Sequence, residues 1–415
     1  MPSEPSQRQL LLTPGPTPVP DAVRVELAHP VIHHRTAQFR AIFADVCERL
    51  QRVFRTRHPV LTITGSGTTA FEAAQVSLIE PGQKAITCAS GKFGERWQDV
   101  YDLHGVEQVR IDAPWGRPIE PQRVEAALRQ HPDAGVVTVV HSETSTATAS
   151  DLETIAKIVS KSAALLIVDG ITSVGALPLE MDQWGVDAVV AGSQKALMLP
   201  PGLGFVALGP RALARLKHVR ARGCYNLDLR RWLARYEKND TPFTPAVNMI
   251  RALGVALEMI ESEGIERVWE RTALLAAATD AAFEALSLKL ISAAPSDSVS
   301  GAFYPTTSAG PIDDGAFRSA LRDKHGVHIA GGQSGRLGDF AGRVFRLSHM
   351  GHVDAQNTLA AFAAIETELI AAGHDAQPGT ATSAAQRLLG AQASQRGWGR
   401  SAAGAAGVRD AASSD

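Results

Sequence analysis

The feature that most constrains this chain is a rhythm. Between about residue 38 and residue 208, short uninterrupted apolar runs alternate with longer segments of helical spacing. A further strand is expected at 106–111, where polar residues mix with apolar ones; the apolar runs fall at 59–64, 84–89, 135–141, 165–169, 189–192 and 204–208. They are too short for ordinary helices and too continuously apolar to have one wet face, so they read as strands buried on both sides. Between or before them, 37–54, 69–79, 93–103, 122–129 and 150–160 carry helical periodicity, and Ser150 with Glu153 has the look of a capping box. Strands separated by helices predict an α/β fold with a mainly parallel, doubly wound sheet. Ligands of such sheets bind outside the C-terminal strand tips.

The rhythm changes after residue 245. Two long helices are expected at 246–263 and 265–286, divided near Gly264. A smaller α+β unit follows, with strands near 299–304, 327–330 and 343–348 and helices at 313–324 and 354–371. The division expected is an extended Pro-rich segment (1–30), a large domain (31–263), a small C-terminal α+β domain (264–375) and a disordered or loosely helical tail (376–415). The tail is expected from its Ala, Gly, Ser and Gln content.

Three strand tips carry groups that could do chemistry. After the first strand comes Gly65-Ser66-Gly67-Thr68-Thr69, where glycines and the start of a helix suit an anion. The loop has no Walker lysine and no G-x-G-x-x-G, so a single phosphate suits it better than a nucleotide. The run Leu165-Leu166-Ile167-Val168 ends in Asp169, and the run Val189-Val190-Ala191-Gly192 leads to Ser193-Gln194-Lys195. A lysine in apolar surroundings loses charge readily and can form an imine, and a buried aspartate can hold a pyridinium nitrogen. Each residue alone has a plain structural reading: a turn, a cap, a solvated charge. Together, in this order, they suit pyridoxal 5′-phosphate (PLP).

Five stretches carry a resemblance. They are Pro14-Gly15-Pro16-Thr17; Gly65 to Ala73; His141-Ser142-Glu143-Thr144-Ser145-Thr146; Val168-Asp169-Gly170-Ile171-Thr172-Ser173; and Gly192-Ser193-Gln194-Lys195 with Pro200-Pro201-Gly202. Over roughly residues 10–372 the chain resembles the class V, fold type I, PLP-dependent aminotransferases, most of all the alanine–glyoxylate, serine–glyoxylate and serine–pyruvate group. The resemblance implies a large PLP-binding domain, a small C-terminal domain and a homodimer with shared active sites. It implies an imine at Lys195, a pyridinium contact from Asp169, and a ring lined by Ile171 and stacked on Phe93. Thr144 would bond the ring hydroxyl, and Ser66, Gly67, Thr68 and Gln194 would hold the phosphate. Thr241 and Thr244, in Thr241-Pro242-Phe243-Thr244-Pro245, match a segment that reaches the neighbouring subunit's phosphate site. Gly15 and Arg346 fall at substrate positions, Arg346 as the carboxylate anchor; an arginine in the apolar strand around it needs such a partner. Thr68 and Thr241 stand where relatives often have His and Tyr, and Leu347-Ser348 replaces Ile-Gly.

The implied activity is ping-pong transfer of an amino group from a small amino acid, such as alanine or serine, to glyoxylate or pyruvate. The alternative is a PLP-dependent lyase or another non-transaminating class V enzyme. A desulfurase-type lyase needs a thiol on a small-domain loop, whereas the last cysteine is Cys224 and 325–345 holds none. Nothing in the sequence chooses the donor. His33-His34-Arg35 reads as polar residues before a helix, and Arg215, Lys217, His218, Arg220 and Arg222 as a solvated face. A formal net charge of −2 argues against a nucleic-acid or membrane-surface partner. Cys47, Cys88 and Cys224 form no C-x-x-C pair, so neither a metal site nor a disulfide framework is suggested. With no signal-like start, a cytoplasmic location is expected.

Overall fold

The computed structural model describes residues 9–219 and 223–395. Seven strands form the large sheet: β1 (Val60–Thr64), β2 (Lys84–Ala89), β3 (Gln108–Asp112), β4 (Ala134–Val140), β5 (Leu165–Asp169), β6 (Ala188–Gly192) and β7 (Leu203–Leu208). Their order is β1-β7-β6-β5-β4-β2-β3. All neighbours are parallel except β7, which runs antiparallel to both β1 and β6. β7 follows β6 after a short connection through Pro200-Pro201-Gly202 rather than a helix, so it can only return in the opposite sense.

Helices cover both faces. α1 (Asp21–Leu27), α2 (Ala37–Val53), α5 (Pro121–Gln130), α6 (Leu152–Val159) and α7 (Val247–Glu263) bury Phe39, Phe43, Leu50, Val124, Ile155 and Leu253 against one side. α3 (Gly67–Leu78) and α4 (Lys92–Leu103) bury Phe71, Trp97 and Tyr101 against the other. This double cover is why the other strands read as continuous apolar runs, whereas β3, at the edge of the sheet, mixes polar and apolar residues and leaves Arg110 exposed.

Gly264, at φ +89°, separates α7 from α8 (Ile265–Ala285), a turn that a side chain would strain. Beyond it, β8 (Val299–Phe303), β9 (Ala330–Gly331) and β10 (Val344–Ser348) form a small antiparallel sheet in the order β8-β10-β9. α8, α9 (Asp314–His325) and α10 (Ala355–Ala371) share its core around Phe283, Phe345 and Phe362.

Three expectations are corrected. The segment 1–30 is not extended throughout, because α1 occupies Asp21–Leu27 and buries Val23. The tail is not unstructured as far as residue 395: α11 (Thr380–Gln395) packs on α8 and α10 and buries Ala381, Ala385 and Leu389. Glu366 of α10 accepts the backbone N–H groups of Gly379 and Ala381, anchoring the start of that helix. Residues 396–415 lie outside the described residues. The cap of α6 is Asp151, whose side chain accepts from Thr154 N at 3.1 Å, rather than Ser150.

Candidate active site

β1, β4, β5 and β6 end at one edge of the sheet, and their C-terminal tips converge on a pocket. Its wall includes Ser66, Gly67, Thr68, Phe93, Thr144, Asp169, Ile171, Gln194 and Lys195, all singled out in the sequence, together with Arg96, Val140, Ser142 and Thr172.

The loop after β1 is built by the entry to α3. Ser66 is the N-cap: its Oγ accepts from Thr69 N and its own N–H donates to Thr69 Oγ1 at 3.1 Å. That reciprocal pair closes the turn. Gly67 lies close under Ile171: a Cβ there would sit 2.6 Å from Ile171 Cδ1, so a larger residue would push that side chain aside. The Gln194 side chain reaches the same corner, and its Oε1 is buried without a hydrogen-bond partner.

Asp169 ends β5 and is buried. Its carboxylate accepts Ile171 N–H at 2.9 Å and Trp97 Nε1–H at 3.2 Å. Burial pushes its pKa up, and those two donors, Lys195 and Arg96 pull it back. Lys195 is also buried, and its Nζ donates to Pro14 O. Burial lowers its pKa to about 8, with Asp169 opposing and Arg346 and Arg96 assisting.

The N-terminal segment is a wall of this site. Leu10–Leu11 pairs with Val327–His328 of the small domain. The chain then crosses to the large domain, where Thr17 Oγ1 donates to Lys195 O at 2.7 Å and Thr17 N to Gln194 O at 3.1 Å. Gly15 lies on the lysine itself: its φ is +108°, and a Cβ there would come well inside 3.0 Å of Lys195 Nζ.

Arg346, on β10, is buried and faces the same region from the small domain. Nε and Nη2 donate to Gly331 O at 3.0 and 2.7 Å, and Nη1 donates to Thr144 O at 2.5 Å. Burial brings its pKa down to about 10, opposed by the nearby Glu143. Glu143 is wholly buried, and burial raises its pKa. It accepts from Phe93 N, Gly94 N, Ser145 N and Ser145 Oγ, tying the start of α4 to the turn that carries Thr144.

Thr241 and Thr244 do not join this pocket within one chain. The Thr241 hydroxyl donates to Phe243 O at 2.7 Å, and Thr244 lines a surface groove with His33 and His34. Arg35 holds that segment through Asp240 Oδ1 and Thr241 O, which gives His33-His34-Arg35 a structural part.

Trp97, Glu143 and Arg96 are among the residues that the sequence did not single out. Arg96 places its guanidinium 4.8 Å from the Phe93 ring centre and donates to Thr68 Oγ1 at 3.3 Å. Only the i, i+3 spacing of Phe93 and Arg96 on α4 hinted that they share a face.

This is an α/β protein with a lysine, an aspartate and a glycine-containing loop brought into one pocket at the C-terminal strand tips, where ligands of such sheets bind. Residues 21–336 match the family model Aminotransferase class-V. The chain is 38% identical over 387 residues to a protein of Synechococcus sp. named soluble hydrogenase, small subunit, covering 92% of this chain and 98% of that one. It is 33% identical over 386 residues to the L-aspartate–glyoxylate aminotransferase of Paracoccus denitrificans, covering 91% and 95%. Among solved structures, an aspartate aminotransferase of subgroup IV from Thermus thermophilus superposes with a TM-score of 0.79 at 34% identity, covering 87% of this chain and 99% of that one. The chain belongs to the class V aminotransferase family, with the fold type I architecture.

Proposed function

We propose that the protein binds PLP and transfers an amino group from a small amino acid to glyoxylate or pyruvate, in two half-reactions, as a homodimer. The observation that carries this reading is the buried Lys195 amine, with its lowered pKa, in one pocket with the carboxylate of Asp169.

The residues fit the cofactor. The bare Gly67 beside Ile171, the α3 N-terminus and the Gln194 amide make a cradle for a phosphate. The Gln194 amide, whose oxygen lacks a donor, gains a partner once its NH2 end is turned toward an anion. Asp169, kept in place by Trp97 and Ile171, would hold a proton on the ring nitrogen, and Phe93 would supply an apolar face. Bound PLP supplies an electron sink for the bonds at a substrate's α-carbon.

The protein's own share is positioning and proton handling. Near neutral pH Lys195 Nζ has an accessible neutral form, so it can attack a carbonyl carbon and, once free, take and return the proton of the substrate's α-carbon. Arg346 would hold the α-carboxylate, using the N–H groups that Gly331 and Thr144 leave unused. The Gly15 backbone, with no side chain, leaves the lysine room to swing.

The test is a half-reaction screen. Single amino acids are added to the PLP-loaded protein, and glyoxylate, pyruvate or 2-oxoglutarate to the aminated protein, while the cofactor absorption is followed. Interconversion by a small amino acid and by glyoxylate or pyruvate is expected. If no pair interconverts the bands, the aminotransferase reading fails.

A further inference from the structure

We propose that Glu95 is a positioning residue that clasps the small-domain loop 332–340 onto α4 and so sets the Arg346 guanidinium for a substrate carboxylate. The inference deepens the reading above and rests on it.

Glu95 lies on the first turn of α4 and is 3% exposed. Among the described residues its carboxylate has no side-chain cation within ion-pair distance; three N–H groups meet it instead. Oε1 accepts Trp115 Nε1–H at 3.0 Å and Leu337 N–H at 3.0 Å, and Oε2 accepts Arg336 N–H at 2.6 Å. Two of these donors are backbone amides of the small-domain loop. A cluster of three donors calls for a group that only accepts, which an ionised carboxylate is and an amide is not. The loop is shaped to lie flush on this acceptor. A Cβ on Gly335 would sit 2.5 Å from Glu95 Oε2, and one on Gly338 would sit 2.5 Å from Trp115 Cγ. The Arg336 side chain adds bonds to Asp112 Oδ2 at 2.7 Å and Gln98 Oε1 at 2.6 Å, both on the large domain.

The loop begins where Arg346 is held. Gly331 immediately precedes it, and Gly331 O takes two of the arginine's N–H groups. The third goes to Thr144 O, and Thr144 stands between Glu143 and Ser145, which fix the backbone of Phe93, Gly94 and Lys92. Arg346 is therefore gripped from two sides, and both grips end on the first turn of α4. One passes through Glu143 and the other through Glu95. A guanidinium has five N–H groups, so one on each Nη remains for a carboxylate. Where those two point depends on where Gly331 O sits, and Glu95 fixes the middle of the loop that follows it.

The test uses the full-length, PLP-loaded protein, as Glu95→Gln and, from the opposite side of the clasp, Arg336→Gln. Arg336 is on the surface, so its substitution keeps the test open if Glu95→Gln does not fold. Three readouts are taken: hydrogen exchange of the 332–340 amides, affinity for propionate by calorimetry, and single-turnover consumption of L-alanine, L-serine and L-aspartate. Faster exchange in the loop is expected, with half-saturating amino acid and propionate concentrations raised roughly tenfold or more, since misplacement of the order of 1 Å can cost about a hundredfold. The limiting rate and PLP affinity should stay within about twofold of wild type, well below that scale. Unchanged loop exchange overturns the proposal. So does a released loop with unchanged carboxylate affinity, or a loss of PLP affinity in step with that of propionate. If wild type consumes no amino acid, the aminotransferase reading has failed, and exchange with propionate affinity still decides the clasp.

Discussion

Lys195 should capture PLP far faster at neutral pH than an ordinary lysine, with a pH midpoint that its charged neighbours move in opposite directions. Its pKa is lowered from 10.5 to about 8, chiefly by burial. At pH 7 about a tenth of the amine is then neutral, against roughly one part in 3000 for a free lysine, a gain of about 300-fold in the attacking form. Asp169 raises the value, and Arg346 and Arg96 lower it. Asp169→Asn should therefore move the midpoint below wild type, and Arg346→Gln should move it above. The assay is the initial rate of imine absorbance when dilute PLP meets cofactor-free protein across about pH 6 to 10, divided by the profile of Nα-acetyl-lysine to remove the titration of PLP itself. A wild-type midpoint near that of the model amine, or shifts of the same sign in both variants, would refute the reasoning. The same group bears on stability. Its folded pKa lies below its unfolded value, so between about pH 8 and 10.5 the unfolded chain binds more protons, and stability from this group rises with pH across that window.

Three further outcomes follow from the geometry. Gly15→Ala should abolish PLP capture while circular dichroism stays native, because the new Cβ meets Lys195 Nζ rather than the core; capture at the wild-type rate would contradict this. Arg346→Gln should raise the half-saturating amino acid concentration roughly 10- to 100-fold, the scale of a charge-assisted hydrogen bond, as read by single-turnover titration. Truncation after residue 378 should lower Tm by several degrees, since it exposes the apolar surface under Ala381, Ala385 and Leu389 and strips Glu366 of both its backbone donors, Gly379 and Ala381. An unchanged melting curve would mean that α11 contributes nothing.

Much of the frame was legible because burial on both faces writes parallel strands as plain apolar runs, and because Gly264 marks the break between two long helices. Asp169 and Lys195 stood out since a charged residue closing or following such a run is costly without a task. Trp97 and Glu143 were hidden because their partners are far away in sequence. Trp97 meets Asp169 across 72 positions, and Glu143 meets Gly94 across 49. The antiparallel return of β7 was invisible to periodicity, which carries no strand direction. The packing of α11 was not legible, because an Ala- and Ser-rich sequence reads as a disordered or loosely helical tail, whereas small residues allow its close approach to α8.

The central claim, that the Lys195 pocket moves an amino group between acids, is tested most directly by following the nitrogen. PLP-loaded wild type and Lys195→Ala are given nitrogen-15-labelled alanine and serine with unlabelled glyoxylate, and labelled glycine is measured by mass spectrometry. The account predicts steady transfer of label by wild type and none above background by Lys195→Ala. No labelled glycine from wild type, or equal amounts from both proteins, would contradict it.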